Sequence, residues 1–241
     1  MDRVIYLAMA GAKASMARQD VLAHNLANAS TTGFRAEMTA FRAVPVLGDG
    51  ASTRVYSIET TPGYSSEPGP VAATDRNLDV AMKGDAWLAV QGADGTEAYT
   101  RNGALDVNSE GLLVTRNGQT VLGDGGPITI PANAQALIGA DGTVSATVAG
   151  AKPQPVGKLK LVTPDSQLQR GEDGLFRGAA GDLPADPSAS VQPGALEGSN
   201  VSPVEAMVAM IAAARQYEQQ MKILSTSQDR EQSATKLLSS S

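Results

Sequence analysis

One histidine, no cysteine and a scatter of acidic residues in glycine turns are the groups in this 241-residue chain that could carry chemistry. His24 stands among Leu22, Ala23, Asn25 and Leu26, a helical context, and no Gly-x-Ser-x-Gly nucleophile turn accompanies it. A solvent-facing or cap-adjacent histidine is the better reading than a hydrolase base. With one His and no Cys, a His/Cys metal centre has no ligand set. Asp141 and Asp173 could offer oxygens to calcium, but the EF-hand spacing is absent and Asp-Gly is the ordinary dipeptide of a tight turn. A carboxylate pair for glycoside hydrolysis would be set by the fold. The aromatic platforms a sugar needs are scarce, however, and Trp87 sits in an alternating, core-like strand pattern. Residues 118–126 are rich in glycine, yet neither the Lys-Ser/Thr pair nor the helix of a phosphate loop follows. The sequence therefore offers no catalytic constellation, no cofactor site and no metal site, and neither a cofactor nor a small-molecule substrate is expected.

Charge and composition narrow the partners. The formal net charge is −6 and Lys and Arg are scattered singly, which argues against nucleic acid. Residues 1–30 are amphipathic, with Lys13, Arg18 and Asp20 breaking any apolar run, so they do not read as a cleaved secretory leader. No window approaches the ~18 apolar residues of a membrane span. Disulfides are excluded, so redox logic says nothing of the compartment.

What the chain does offer is a pair of long helical patterns at its two ends. Ser202-Pro203 with Glu205 reads as a capping box with proline at the first helical position. From there Met207, Met210, Ala214, Tyr217, Met221 and Leu224 alternate three and four apart, with Ile211 widening the stripe. Matching spacing recurs at Ile5, Met9, Ala12, Met16, Ala23 and Leu26, in a helix expected over residues 2–29 that tolerates Gly11. It stops at Asn28-Ala29-Ser30-Thr31-Thr32-Gly33, with Phe34 as an anchor just beyond. Between the helices lie short apolar runs separated by Asp-Gly and Asn-Gly pairs, among them Asn102-Gly103, which predict an antiparallel meander. The fold class is thus α+β: terminal helices packing on each other and a β-rich middle. The expected division is 1–36 for the first helix, 37–75 for an extended linker with a short strand around Val55 and Ile58, 76–195 for the β domain and 196–241 for the last helix.

Three blocks carry a resemblance. Asn25-Leu26-Ala27-Asn28-Ala29-Ser30-Thr31-Thr32-Gly33-Phe34-Arg35 resembles the N-terminal signature of bacterial flagellar rod and hook proteins. Leu196-Glu197-Gly198-Ser199-Asn200-Val201, with Met210-Ile211, Arg215, Tyr217-Glu218 and Lys222, resembles their C-terminal signature. Leu78 to Val90, Tyr99-Thr100-Arg101-Asn102-Gly103 and Leu112 to Thr115 are similar to their shared β module. The blocks stand in family order, and the opening residues and short length most resemble the proximal rod members.

The resemblance implies a structural, non-enzymatic subunit of the flagellar basal body. It implies export without a cleaved leader through the flagellar type III apparatus, and helical polymerisation with copies of itself and with other rod proteins. The terminal helices would line the export channel and the assembly would transmit torque. The expected assembly residues are the two helical stripes together with Asn28, Gly33, Phe34, Asn200 and Val201. A distal rod subunit, or a β-domain binding module with helical oligomerisation arms, stands as the alternative.

Overall fold

The computed structural model describes residues 2–45, 55–148, 150–179 and 181–239. Gly48-Asp49-Gly50, within the expected linker, lies outside the described residues. The chain divides into two compact units. Unit 1 gathers residues 1–29, 36–65 and 201–241, and unit 2 gathers residues 30–35 and 66–200.

In unit 1, helix α1 spans Asp2–Ala27. It ends where the Asn28 amide turns back to the carbonyls of His24 and Asn25, at 3.2 and 3.1 Å. The chain then forms β1 (Glu37–Pro45) and β2 (Val55–Tyr64), which pair antiparallel from Glu37 opposite Tyr64 to Pro45 opposite Val55. This ribbon is longer than the short strand expected around Val55 and Ile58. The alternation there is weak, and it is the partner strand that holds the chain extended. The buried Asn25 fixes α1 to the ribbon: its side-chain amide donates to the Glu37 carbonyl at 2.9 Å and accepts from the Glu37 N–H at 2.8 Å.

Helix α2 spans Pro203–Ser239. Its start follows the capping chemistry of the sequence: the Glu205 N–H donates to Ser202 Oγ at 3.4 Å, and the Ala206 N–H reaches the Ser202 carbonyl at 2.9 Å. Among the described residues no helix is long and apolar enough to cross a membrane.

Unit 2 opens with β3 (Val71–Ala73) and β4 (Val80–Met82). Then come β5 (Trp87–Gln91), β6 (Glu97–Thr100), β7 (Leu105–Val107), β8 (Leu113–Thr115), β9 (Thr120–Gly123) and β10 (Gly126–Pro127). A separate antiparallel sheet holds β11 (Ala134–Ile138), β12 (Thr143–Val148) and β13 (Gln154–Lys158). The chain returns through β14 (Leu161–Val162), β15 (Gln169–Arg170) and β16 (Phe176–Arg177). The principal sheet has the order β15-β16-β6-β5-β9-β8-β7, with β14 beside β5 and β10 beside β9. Two last strands, β17 (Val191–Pro193) and β18 (Ala195–Glu197), double back to pair with β4 and β3.

The core follows from this arrangement. Val80, Leu88, Val90, Leu105, Leu113, Val121, Ile138, Val144, Leu159 and Leu161 are buried together, aliphatic as the composition required. Trp87 is buried as expected, its ring centroid 4.7 Å from that of Phe176. The Asp-Gly pairs turn the chain with help from the residue that follows. Asp94 and Asp141 each accept the backbone N–H and hydroxyl of the Thr two positions on, which holds both carboxyls below the usual carboxylate range.

Asn102-Gly103 departs from the expected tight turn. The Asn102 side chain accepts the Ala104 N–H at 3.1 Å, and the Val80 N–H donates to the Gly103 carbonyl at 3.0 Å. A Cβ on Gly103 would stand 1.7 Å from the Val80 carbonyl oxygen, so glycine is required there by close backbone approach.

Two outcomes are expected. Gly103→Ala should lower the unfolding free energy by about 3 kcal/mol, because the obstacle is backbone and cannot rotate away; chemical denaturation measures it. Asp186 accepts the Ser188 and Thr163 hydroxyls at 2.6 Å each, and these bonds lower its pKa to about 2. Its contribution is present above the unfolded carboxylate value of about 3.9 and is lost as pH falls towards 2. Asp186→Asn should therefore destabilise the protein at pH 7 and cease to do so at pH 2, as seen in midpoints measured across that range.

Candidate assembly interface

Each helix is positioned by the contacts along its length. The side chains of α1 most deeply buried in unit 1 are small or polar: Ala8, Ala12, Ser15 and Asn25. On α2 they are Ala206, Ala213 and Ser227. The helices pack along much of their length, with Gly11 against the end of the Gln220 side chain. Ala206 lies about 21 Å along α2 before Gln220. In an antiparallel pair that level meets the end of α1 near Asn25, whereas in a parallel pair it has no counterpart among the described residues of α1. The buried state of Ala206 and Ala213 fits the antiparallel arrangement.

The expected stripes share Ile5, Ala12, Leu26, Met210, Tyr217 and Leu224 with the buried and half-buried positions of this seam and run one residue late at the others. Met9 and Met16 follow Ala8 and Ser15, Ala23 follows Leu22, and Met207 and Ala214 follow Ala206 and Ala213. One residue is about 100° of helix rotation. In an antiparallel pair the same rotation on both helices carries these side chains to one common side. Met9, Met16, Ala23, Met207, Ile211 and Met221 are exposed; Ile5, Leu26, Met210, Ala214, Tyr217 and Leu224 are half-buried; Ala12 is buried. Part of each stripe thus lies along the line where the helices meet, and part is turned to the flank. Small residues let the backbones approach, and the large side chains are turned out to the flank. Tyr6, Leu7, Val204 and Val208 extend the exposed apolar surface, and a shallow depression of about 540 Å³ is lined by Val208, Ile211 and Arg215. Met-rich surfaces adapt to neighbours of different shape.

The two family signatures meet inside unit 2. The Gly33 N–H donates to the Glu197 carbonyl at 2.8 Å, and the Asn200 N–H donates to the Phe34 carbonyl at 3.3 Å. Gly33 has φ +69°, and a Cβ there would fall 2.3 Å from the Arg101 carbonyl carbon. Phe34 is buried under the Arg170 guanidinium, 4.4 Å from its ring centroid. Sequence reasoning missed the centre of this junction. The Glu197 carboxylate is buried between Arg35 Nη2 at 2.8 Å and Arg101 Nη2 at 2.6 Å, and it also accepts the Gly69 N–H at 3.0 Å. Arg101 further donates to the carbonyls of Met82, Gly84 and Ala86. Arg35 donates to the Glu67 carbonyl, which also accepts the Asn200 side-chain amide at 2.9 Å. The available signal was that the three signature blocks contain Arg35, Arg101 and Glu197, charges of complementary sign. Asn28 closes the end of α1 and Val201 stands half-buried before α2.

Comparison with known proteins follows this division of the chain. The family described as "Flagella basal body rod protein" matches residues 5–35. "Flagellar hook protein FlgE/F/G D1 domain" matches residues 81–146, and "Flagellar basal body rod FlgEFG protein C-terminal" matches residues 192–237. The flagellar basal-body rod protein FlgF of Salmonella typhimurium is 49% identical over 254 residues, with 100% of both chains covered. The chain belongs to the flagellar basal-body rod protein family. FlgF of Escherichia coli K12 is likewise 49% identical over the full length of both chains. FlgG of Bacillus subtilis is 31% identical, covering 95% of this chain and 96% of its own. In this rod-family chain the matched terminal segments contain the helix pair and both halves of the Glu197 junction.

The seam chemistry predicts opposite effects for two substitutions. Gly11→Ala should stabilise unit 1 by up to about 1 kcal/mol, since only the movable end of Gln220 stands in the way of the new methyl and the helix gains propensity. Ala213→Leu should cost about 1–3 kcal/mol by overpacking the seam. Helical circular dichroism followed through thermal unfolding checks both.

Proposed function

We propose that the chain is a structural subunit of the bacterial flagellar basal-body rod, in its proximal part. The observation that carries the reading is the full-length likeness to two FlgF proteins at 49% identity, against 31% to FlgG of Bacillus subtilis. That difference favours the proximal over the distal position. The subunit works without catalysis, by polymerising with copies of itself and with other rod proteins, and it reaches the rod through the flagellar type III export apparatus. The assembled subunits transmit torque and enclose the export channel.

The exposed flank of the helix pair is the assembly surface in this reading. Met9, Met16 and Ala23 present it from α1 and Met207, Ile211 and Met221 from α2, while Ile5, Ala12, Leu26, Met210, Ala214, Tyr217 and Leu224 support it from the seam. Neighbouring copies meet through heterologous contacts, which produce open helical assemblies. Burying four exposed methionines removes several hundred Å² of apolar surface from water at about 25 cal/mol per Å². Asn28, Gly33, Phe34, Asn200 and Val201 serve by fixing the segments next to the helices.

The test is incorporation. Hook–basal bodies are purified from cells in which a variant is the only copy, and the rod fraction is probed by immunoblot. The wild-type chain should be retained in that fraction. Met9→Asp and Met207→Asp, which alter exposed side chains, should fold as wild type in circular dichroism and fall at least about tenfold in incorporation, as expected when a charge enters an apolar interface. Incorporation of both at the wild-type level would overturn the assigned surface. Absence of the wild-type chain from the rod fraction would overturn the rod reading itself.

A further inference from the structure

We infer that residues 30–35, 67–73 and 194–200 form a polar latch that opens as a unit while the β core of unit 2 stays folded. The inference concerns unit 2 alone and does not depend on the assembly reading.

The latch lies outside the main sheet. β18 pairs only with β3, and all three residues of β3 are exposed. β17, by contrast, contributes Val191 to the hydrophobic cluster, so the boundary falls at Gly194, which has φ +68°. Phe34, the largest apolar side chain of the latch, packs under Arg170 and not within that cluster. What closes the latch is polar: the Gly33, Gly69, Gly198 and Asn200 amides, and one carboxylate shared by two guanidinium groups.

Such a closure is specific but contributes little net stability, because a buried ion pair gains by attraction roughly what it loses in hydration. Opening is correspondingly cheap here. Glu197 and Arg35 pass into water on their own segments. Arg101 stays on the core, where the carbonyls of Met82, Gly84 and Ala86 still accept its N–H groups. Within the latch the Glu67 carbonyl accepts from Arg35 and from the Asn200 side chain, and the Asn200 N–H donates to the Phe34 carbonyl. Latch opening breaks these bonds without melting a core strand.

Amide hydrogen exchange on the full-length chain, read by NMR at increasing urea below the unfolding transition, tests this. The Gly33, Gly69, Gly198 and Asn200 amides should exchange at one common rate, at least about tenfold faster than the Ala89 and Leu113 amides of the core, and with little urea dependence. Glu197→Gln should accelerate the four latch amides about tenfold or more, whereas Val121→Ala, a change in the core, should accelerate Ala89 and Leu113 and leave the latch amides unchanged. Exchange of the latch amides only together with Ala89 and Leu113 would overturn the inference. So would four unrelated latch rates, or equal acceleration of both sets by Val121→Ala. If either variant does not fold, the wild-type rates and their urea dependence decide the question alone.

Discussion

A carboxylate buried between two guanidinium groups is the constraint around which unit 2 is arranged. Glu197 cannot be buried without Arg35 and Arg101, and neither arginine can be buried without it. The three residues come from widely separated parts of the sequence, so their meeting fixes the topology of the unit. Its last strands must return to its first, β17 to β4 and β18 to β3. The glycines around the triad follow from the same demand, since Gly33 and Gly103 stand where another backbone passes too close for a side chain.

Unit 1 answers a different demand. A helix pair that existed to bury its own apolar residues would turn its methionines inward. Here small and polar residues hold the most buried seam positions, and Met9, Met16, Met207 and Met221 stand on the flank. This trades hydrophobic burial within the chain for surface that another chain can cover. In a rod-family subunit, that is the expected place for adhesion between neighbours, and large exposed apolar patches are otherwise uncommon on proteins that work alone.

Much of this was legible beforehand, for local reasons. The start of α2 could be read from Ser202, Pro203 and Glu205, because a cap is made by residues three apart. The Asp94 and Asp141 turns could be read because the side chain bonds its own backbone two residues on. Asn102-Gly103 misled because the same dipeptide serves a tight turn and a close approach, and only the presence of Val80 distinguishes them. The β1–β2 ribbon was underestimated because its extension comes from pairing and not from strand propensity.

The sequence by itself therefore determined the α+β class, the terminal helices, the turn-rich β middle and the family, since each rests on neighbours in the chain or on residues within one block. The tertiary structure alone decided which side of each helix faces its partner and that Arg35, Glu197 and Arg101 share one buried site. Periodicity marks an apolar stripe without saying what covers it. A charge reads as solvated until the fold brings its counter-charge across a hundred residues of chain.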